Sequence, residues 1–141
     1  MQDNFAIYPS LKHMSVIITG GASGIGEQIT RSFVRQGSKV GLIDFDRDAT
    51  ERLYNDLNGE LNFEICDLTE IDNLKKAFSS LRNEIGQPGV LVNNAARDDR
   101  HAWQEVTSEY FDDRIASNLK HQFFSIQAVV PDMIARGGGS I

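Results

Sequence analysis

Apolar residues along this chain follow two alternating periods. Four short runs, SVIIT at 15–19, KVGLID at 39–44, LNFEI at 61–65 and GVLVN at 89–93, are rich in branched and aromatic residues and bounded by glycine or polar positions. Three are continuous, and the third places Leu61, Phe63 and Ile65 on one face. They predict four strands. Between them the apolar positions recur every three or four residues. Ile25, Ile29 and Phe33 predict a helix that stops at Gly37; Leu53, Tyr54 and Leu57 predict a second before Asn58-Gly59. Ile71, Leu74, Phe78, Leu81 and Ile85 predict a third, opened by a capping box of Thr69 and Asp72 and closed near Gly86. After a polar stretch, Phe111, Ile115, Leu119, Phe123, Ile126 and Val130 predict one long helix over 110–136, kinked at Pro131.

Strand and helix thus alternate four times. The pattern calls for an α/β fold, a Rossmann-like, doubly wound parallel sheet with right-handed crossovers. No internal repeat, low-complexity tract or linker interrupts it, so residues 1–141 read as a single domain. The closing run GGGSI looks like the entry to a fifth strand, and the expectation is a domain incomplete at its C-terminus, truncated after the helix that follows the fourth strand.

Composition narrows the classes of function. With 40% apolar and 24% charged residues in 141, the chain suits one globular domain with a sizeable core. A net charge of −6 without a Lys/Arg cluster gives no footprint for nucleic acid or an anionic membrane. One cysteine, Cys66, excludes an internal disulfide and fits a reducing compartment; it sits in an apolar alternation that predicts a buried, inert thiol. No signal-peptide pattern and no apolar run of membrane-spanning length is present, and the expectation is a cytoplasmic protein.

The candidate chemistry begins where the first strand runs into TGGASGIG at 19–26. Gly20, Gly24 and Gly26 stand where a tight turn, close approach to a pyrophosphate and close helix packing would each forbid a Cβ. Ser23 and Ile25 complete a loop whose free N–H groups, at a helix start, would face the anion. Asp44 ends the second strand, 18 residues after Gly26. Its carboxylate can accept from both ribose hydroxyls and repel a 2′-phosphate, which favours NAD over NADP. The bland alternative is that Asp44 caps the turn DFDRD, a task for which Asp46 is better placed; Arg47 is a nearby cation able to soften the preference.

Beyond the fourth strand, RDDRH at 97–101 leaves the crevice edge where doubly wound sheets bind ligands. Asp98, Asp99, Arg100 and His101 can hydrogen-bond the hydroxyls of a sugar; equally, the loop's acids and arginines can pair with one another or with another subunit. A metal site is disfavoured, because no further clustered His or Cys stands near Asp98, Asp99 and His101. For His121 a packing role is favoured over proton transfer. For Trp103, Tyr110, Phe123 and Phe124 a core or interface role is favoured over a substrate entrance.

Taken together, TGGASGIG, CDLT at 66–69, NNAA at 93–96 and Asn118 within RIASNLKHQFF resemble the N-terminal part of a short-chain dehydrogenase/reductase across essentially all 141 residues. Ala96 departs from the glycine usual in the third motif. Within the family the chain is most similar to NAD-dependent aldose dehydrogenases, through AIYPSLK at 6–12, NNAARDDRH at 93–101 and residues 112–141. The resemblance implies NAD as cofactor. Gly20, Ser23, Gly24, Ile25 and Gly26 would lie on the pyrophosphate and Asp44 on the ribose. Asp67 and Leu68 would flank the adenine, and Asn94 and Ala95 the strand-four side. Asn118 would be the asparagine of a catalytic tetrad that positions a water.

The remaining tetrad members in that family are a serine after the fifth strand and a Tyr-x-x-x-Lys on the next helix. A phenol with a pKa of about 10 needs such a neighbouring cation to act as a base at neutral pH. Neither element occurs here. Tyr8 and Lys12 have the spacing but precede the first strand, with Pro9 between them. The implied activity of the complete form is oxidation of the anomeric C–OH of an aldose, D-xylose foremost, to a lactone, by a homo-oligomer (dimer or tetramer), with these 141 residues inactive alone. Two alternatives stay open: a noncatalytic NAD-binding or interaction module, and a reductase of an oxoacyl or other carbonyl substrate. The polar RDDRH disfavours an apolar ligand.

Overall fold

The computed structural model describes residues 5–141. Strands β1 (Ser15–Thr19), β2 (Lys39–Asp44), β3 (Asn62–Ile65) and β4 (Val90–Asn93) form one parallel sheet in the order β3-β2-β1-β4. Helices α1 (Gly24–Arg35), α2 (Arg47–Asp56) and α3 (Ile71–Ile85) make the crossovers, and α4 (Ser108–Ile115), a π-helical turn (Ala116–Lys120) and α5 (His121–Ala135) follow β4. After α5, Ser140 forms a parallel bridge to Val90, donating to the Gly89 carbonyl and accepting from the Leu91 N–H, each at 3.0 Å. The expected entry to a further strand is therefore seen beside β4.

Strand β1 is buried throughout, because the period of two sends its side chains into two separate cores. Val16 and Ile18 join Val40, Leu42, Val34 of α1 and Leu53 of α2 on one face. Ile17 joins Ile43, Leu91, the Leu74, Phe78, Leu81 and Ile85 row of α3, and Val129 and Met133 of α5 on the other. A sheet covered on both faces explains why its strands read as continuous apolar runs.

Three helical expectations are corrected. Helix α1 buries Gly26, Thr30 and Val34; Ile29 and Phe33 pack only at the margin and Ile25 is 78% exposed. The buried stripe is turned by one residue because the helix meets the chain through a glycine, which adds nothing to an apolar pattern. The capping box before α3 does not form. Asp67, two residues upstream, takes both the Thr69 N–H (2.9 Å) and the Thr69 hydroxyl (2.7 Å), leaving no side-chain cap on the helix.

The largest correction concerns 110–136. It is not one α-helix: a π-helical turn separates α4 from α5, while Pro131 lies inside α5, which continues to Ala135. The wider turn shifts the side-chain register. Phe111, Ile115, Leu119 and Phe123, expected in the core, are exposed, and Ser117, His121, Ser125, Val129, Asp132 and Met133 are buried instead. Trp103 is exposed as well, which removes the core half of its core-or-interface expectation. Burial of the polar members is possible because each has a partner. The Ser117 and Ser125 hydroxyls donate to the carbonyls of Asp113 and His121 at 2.8 Å. Asp132 receives the Arg82 guanidinium through two bonds of 2.5 and 2.8 Å, tying α5 to α3.

Two measurements check this packing. Met133→Ala should cost about 2–5 kcal/mol in urea unfolding, whereas Phe123→Ala should stay within about 0.5 kcal/mol; the reverse order would restore the single-helix face. The Arg82 hydrogen bond holds the Asp132 carboxyl below the usual carboxylate range. A depressed folded-state pKa contributes stability that is present above the unfolded value and lost as pH falls through the folded one. Asp132→Asn should therefore lower the melting temperature at pH 7 and flatten its decline below about pH 4; an identical acid limb in both proteins would exclude this.

Candidate functional site

Parallel strands bring their carboxyl ends to one edge of the sheet, and there the loops after β1, β2, β3 and β4 enclose a cleft of about 720 Å³. Gly20 leaves β1 with φ 64°, and a Cβ on it would lie 2.6 Å from the Ala95 Cα. Gly24, with φ 55°, opens on free space: no atom lies within 4 Å of where its Cβ would be. Gly26 answers to crowding alone, since a Cβ there would strike the Gly20 carbonyl and the Asn94 amide. Gly21, outside the expected pattern, is equally enclosed, its Cβ position lying 2.7 Å from the Thr30 hydroxyl. That hydroxyl donates to the Gly21 carbonyl at 3.0 Å and anchors the loop to α1.

Helix α1 starts at Gly24 with Ser23 as N-cap, and the exposed Ser23 side chain makes no capping bond. The first N–H groups of the helix therefore stay available on the cleft side, where Ser23, Gly24 and Ile25 form the wall. A helix start of this kind can accept an anion, and it is bare of side chain at Gly24.

Asp44 is buried at the end of β2 and lines the cleft. Its Oδ2 accepts from the Ala22 N–H at 2.9 Å and its Oδ1 from the Asp46 N–H at 3.1 Å. One carboxylate thus ties the glycine loop to the turn after β2 and keeps unused lone pairs for a ligand. Asp46 performs the capping expected of it, accepting from the Ala49 N–H at 3.0 Å. Arg47 reaches Glu51, one turn along α2, at 3.2 Å. The chain after β3 supplies Asp67 and Leu68; one Asp67 oxygen holds Thr69. Beside them burial pushes the Cys66 thiol up to about 11, which keeps it protonated and inert.

At β4 the site is held by polar bonds invisible in the sequence pattern. The Asn94 amide donates to the carbonyls of Gly20 at 2.7 Å and Thr19 at 3.3 Å. The fully buried Thr19 hydroxyl accepts from the N–H groups of Asn94 and Ala95, both at 3.2 Å. His121 approaches the Ala95 carbonyl through Nε2 at 3.1 Å, and burial lowers its pKa. His121 is thus packed and paired, as expected, and it also borders the cleft.

Asn118 lies in the π-helical turn and does not line the cleft. Its Oδ1 accepts from the Arg97 N–H at 2.7 Å and its Nδ2 donates to the Arg97 carbonyl at 3.0 Å, clamping the chain after β4. Of the four residues expected on the substrate side, only Asp98 reaches the cleft. Asp99 is taken by Arg114 at 2.9 Å and Arg97 at 3.7 Å; His101 stacks on Tyr110 with ring centroids 4.3 Å apart, and its Nε2 meets the Glu105 carbonyl. Arg100 is exposed outside the lining. Internal pairing therefore accounts for Asp99, as the second sequence alternative held. Arg97 and Asp113 line the cleft without having been singled out in the sequence, because a 3.5 Å pair between a loop and a helix has no fixed spacing. Tyr8, exposed beside the 3-10 turn Pro9–Leu11, stands apart from the cleft. Among the described residues no group of three or more potential metal ligands is gathered, and no helix is long and apolar enough to cross a membrane.

Comparison with known proteins bears on the same architecture. The chain is 45% identical over 139 residues to D-xylose 1-dehydrogenase of Caulobacter vibrioides, covering 96% of this chain and 54% of that protein. It is 38% identical over 138 residues to the probable galactose dehydrogenase GalD of Rhizobium meliloti, covering 95% and 54%. The chain thus spans about half the length of the curated relatives it matches. The crystal structure of 3-ketoacyl-(acyl-carrier-protein) reductase from Brucella melitensis, complexed with NADH, superposes with a TM-score of 0.84 at 23% identity, covering 90% of this chain and 53% of that one. The short chain dehydrogenase family model matches residues 14–141, from the start of the sheet to the bridge beside β4, and with the glycine cradle, the Asp44 carboxylate and the Asn94 clamp it makes this chain a member of that family.

Proposed function

We propose that the protein is the cofactor-binding part of an NAD-dependent oxidoreductase that oxidises the anomeric C–OH of an aldose, D-xylose foremost, to a lactone. The observation that carries the cofactor assignment is the buried Asp44 carboxylate facing the cleft while tied to the glycine loop. A carboxylate there accepts from ribose hydroxyls and repels a 2′-phosphate. Gly24, open on free space at a helix start, supports a pyrophosphate beside Gly20, Ser23, Ile25 and Gly26. Asp67 and Leu68 flank the adenine; Asn94 and Ala95 close the strand-four side. Bound there, the dinucleotide supplies the hydride acceptor that the protein's own side chains lack.

The sugar assignment is supported by the relatives, named for xylose and galactose, and by the polar cleft mouth of Arg97, Asp98 and Asp113. An acyl or steroid chain would take Asp98 and the Arg97–Asp113 pair out of water without hydrogen-bonding them, which disfavours the carbonyl-reductase alternative. Asn118 is the tetrad asparagine that positions a water in the proton relay; its amide also holds the Arg97 backbone at the cleft border. The serine and Tyr-x-x-x-Lys of the family have no counterpart at the cleft among the described residues, so turnover needs more than these 141. The exposed apolar row Phe111, Ile115, Leu119 and Phe123 supports a homo-oligomer, and the buried free thiol of Cys66 supports a reducing, cytoplasmic setting.

The test is NADH formation by the protein from its full natural reading frame over a panel of aldoses, oxoacyl thioesters and hydroxysteroids. Aldoses should be oxidised, with D-xylose among the best; activity confined to the other two classes would overturn the sugar assignment. Asp44→Ala should lower the NAD-over-NADP ratio of kcat/KM at least about tenfold, the equivalent of one lost charge-assisted contact. An unchanged ratio would remove Asp44 from the ribose.

A further inference from the structure

We infer that His121 is a positioning residue of the nucleotide cradle, acting through the Ala95 carbonyl, an inference that rests on the NAD-binding reading of the cleft. The ring is 1% exposed at the start of α5, and the residue borders the cleft without belonging to the glycine loop or to either acidic position. A carbonyl can only accept, so the 3.1 Å contact with Ala95 places the proton on Nε2. Nδ1 is then a lone pair, and it is buried with no hydrogen-bond partner. Burial favours this neutral form and outweighs the backbone groups of Ala95 and Ser117 near the ring, which act in the opposite sense.

A buried imidazole with one idle nitrogen is a costly way to fill space, since leaving a polar atom unpaired carries a desolvation penalty that an aliphatic side chain avoids. What the ring supplies in return is the N–H to Ala95. That residue sits directly against the first glycine of the cradle: its Cα lies 2.6 Å from where a Cβ on Gly20 would be. Its N–H is held by the Thr19 hydroxyl at 3.2 Å, from the β1 side. His121 holds its C=O from the α5 side. The two peptide planes that flank the Ala95 Cα are thus each held by one hydrogen bond, and Gly20 rests against that Cα. Without the Nε2 bond the turn can tilt, and the first glycine of the loop moves with it.

The test is calorimetric titration of NADH into the protein from its full natural reading frame, as parent, His121→Leu and His121→Gln. The Leu variant should raise Kd about tenfold, the loss of one buried hydrogen bond, with the cofactor KM following and kcat little changed. The Gln variant, whose side-chain N–H can take the place of Nε2, should bind within about threefold of the parent. Equal affinity of parent and Leu variant would overturn the inference, as would equal weakening in Leu and Gln, which marks a role in packing alone. A parent that binds no NADH overturns the cleft reading and this inference with it. Should the Leu variant not fold, nitrogen NMR of the parent decides: the His121 ring should carry its proton on Nε2 and shift when NADH is added, and an Nδ1–H tautomer or an unmoved signal overturns the proposal.

Discussion

The Asn94 amide, bonded to the carbonyls of Gly20 and Thr19, fixes the distance between the chain leaving β1 and the chain leaving β4. That distance is so small that Gly20 and Gly26 admit no side chain, and a Cβ at Gly26 would meet both the carbonyl and the amide of this clamp. The approach has a large consequence for a small volume. It brings the start of α1 over the sheet edge, leaves the first helical N–H groups facing the cleft, and so presents bare backbone where the proposed reading puts the pyrophosphate. Asp44 completes the arrangement from β2 through the Ala22 N–H. Loop, carboxylate and clamp are therefore one hydrogen-bonded unit.

The opposite wall is organised by the segment after β4. The Asn118 amide grips the Arg97 backbone, His121 grips the Ala95 carbonyl, and the Thr19 hydroxyl receives two N–H groups from the same turn. These bonds use polar side chains where an apolar stripe would be expected. The π-helical turn at Ala116–Lys120 makes this possible, since the register it introduces turns Ser117 and His121 inward and leaves Phe111, Leu119 and Phe123 outside. The same turn thus creates the site wall and an exposed apolar row. Function and surface are linked through one irregular turn of helix.

Much of this was legible in the chain. The bounds of β1 and β2, the parallel sense of the sheet, the loop TGGASGIG and the terminal acid of the second strand follow from local rules: runs of branched residues, glycine where φ is positive, and a carboxylate at a strand end. Residues at these positions are brought together by any right-handed β-α-β unit, so their spacing suffices. The capping of α2 by Asp46 is equally local.

Other features were decided by contacts between segments far apart. The face of α1 depends on Gly26 meeting Gly20 and Asn94, and glycine leaves no trace in a hydropathy pattern. Thr69 was diverted by Asp67, a choice between two nearly equal local bonds. The buried face of α5 depends on Ala95 and Arg82, reached across 26 and 50 residues, whose hydrogen bonds make a buried histidine and aspartate tolerable. By itself the sequence determined the sheet, the glycine loop and the acid that faces the cleft, because each is a property of neighbouring residues. Only the tertiary structure decided which polar side chains turn inward around them, because a buried polar group is stable only where a distant part of the chain offers its partner.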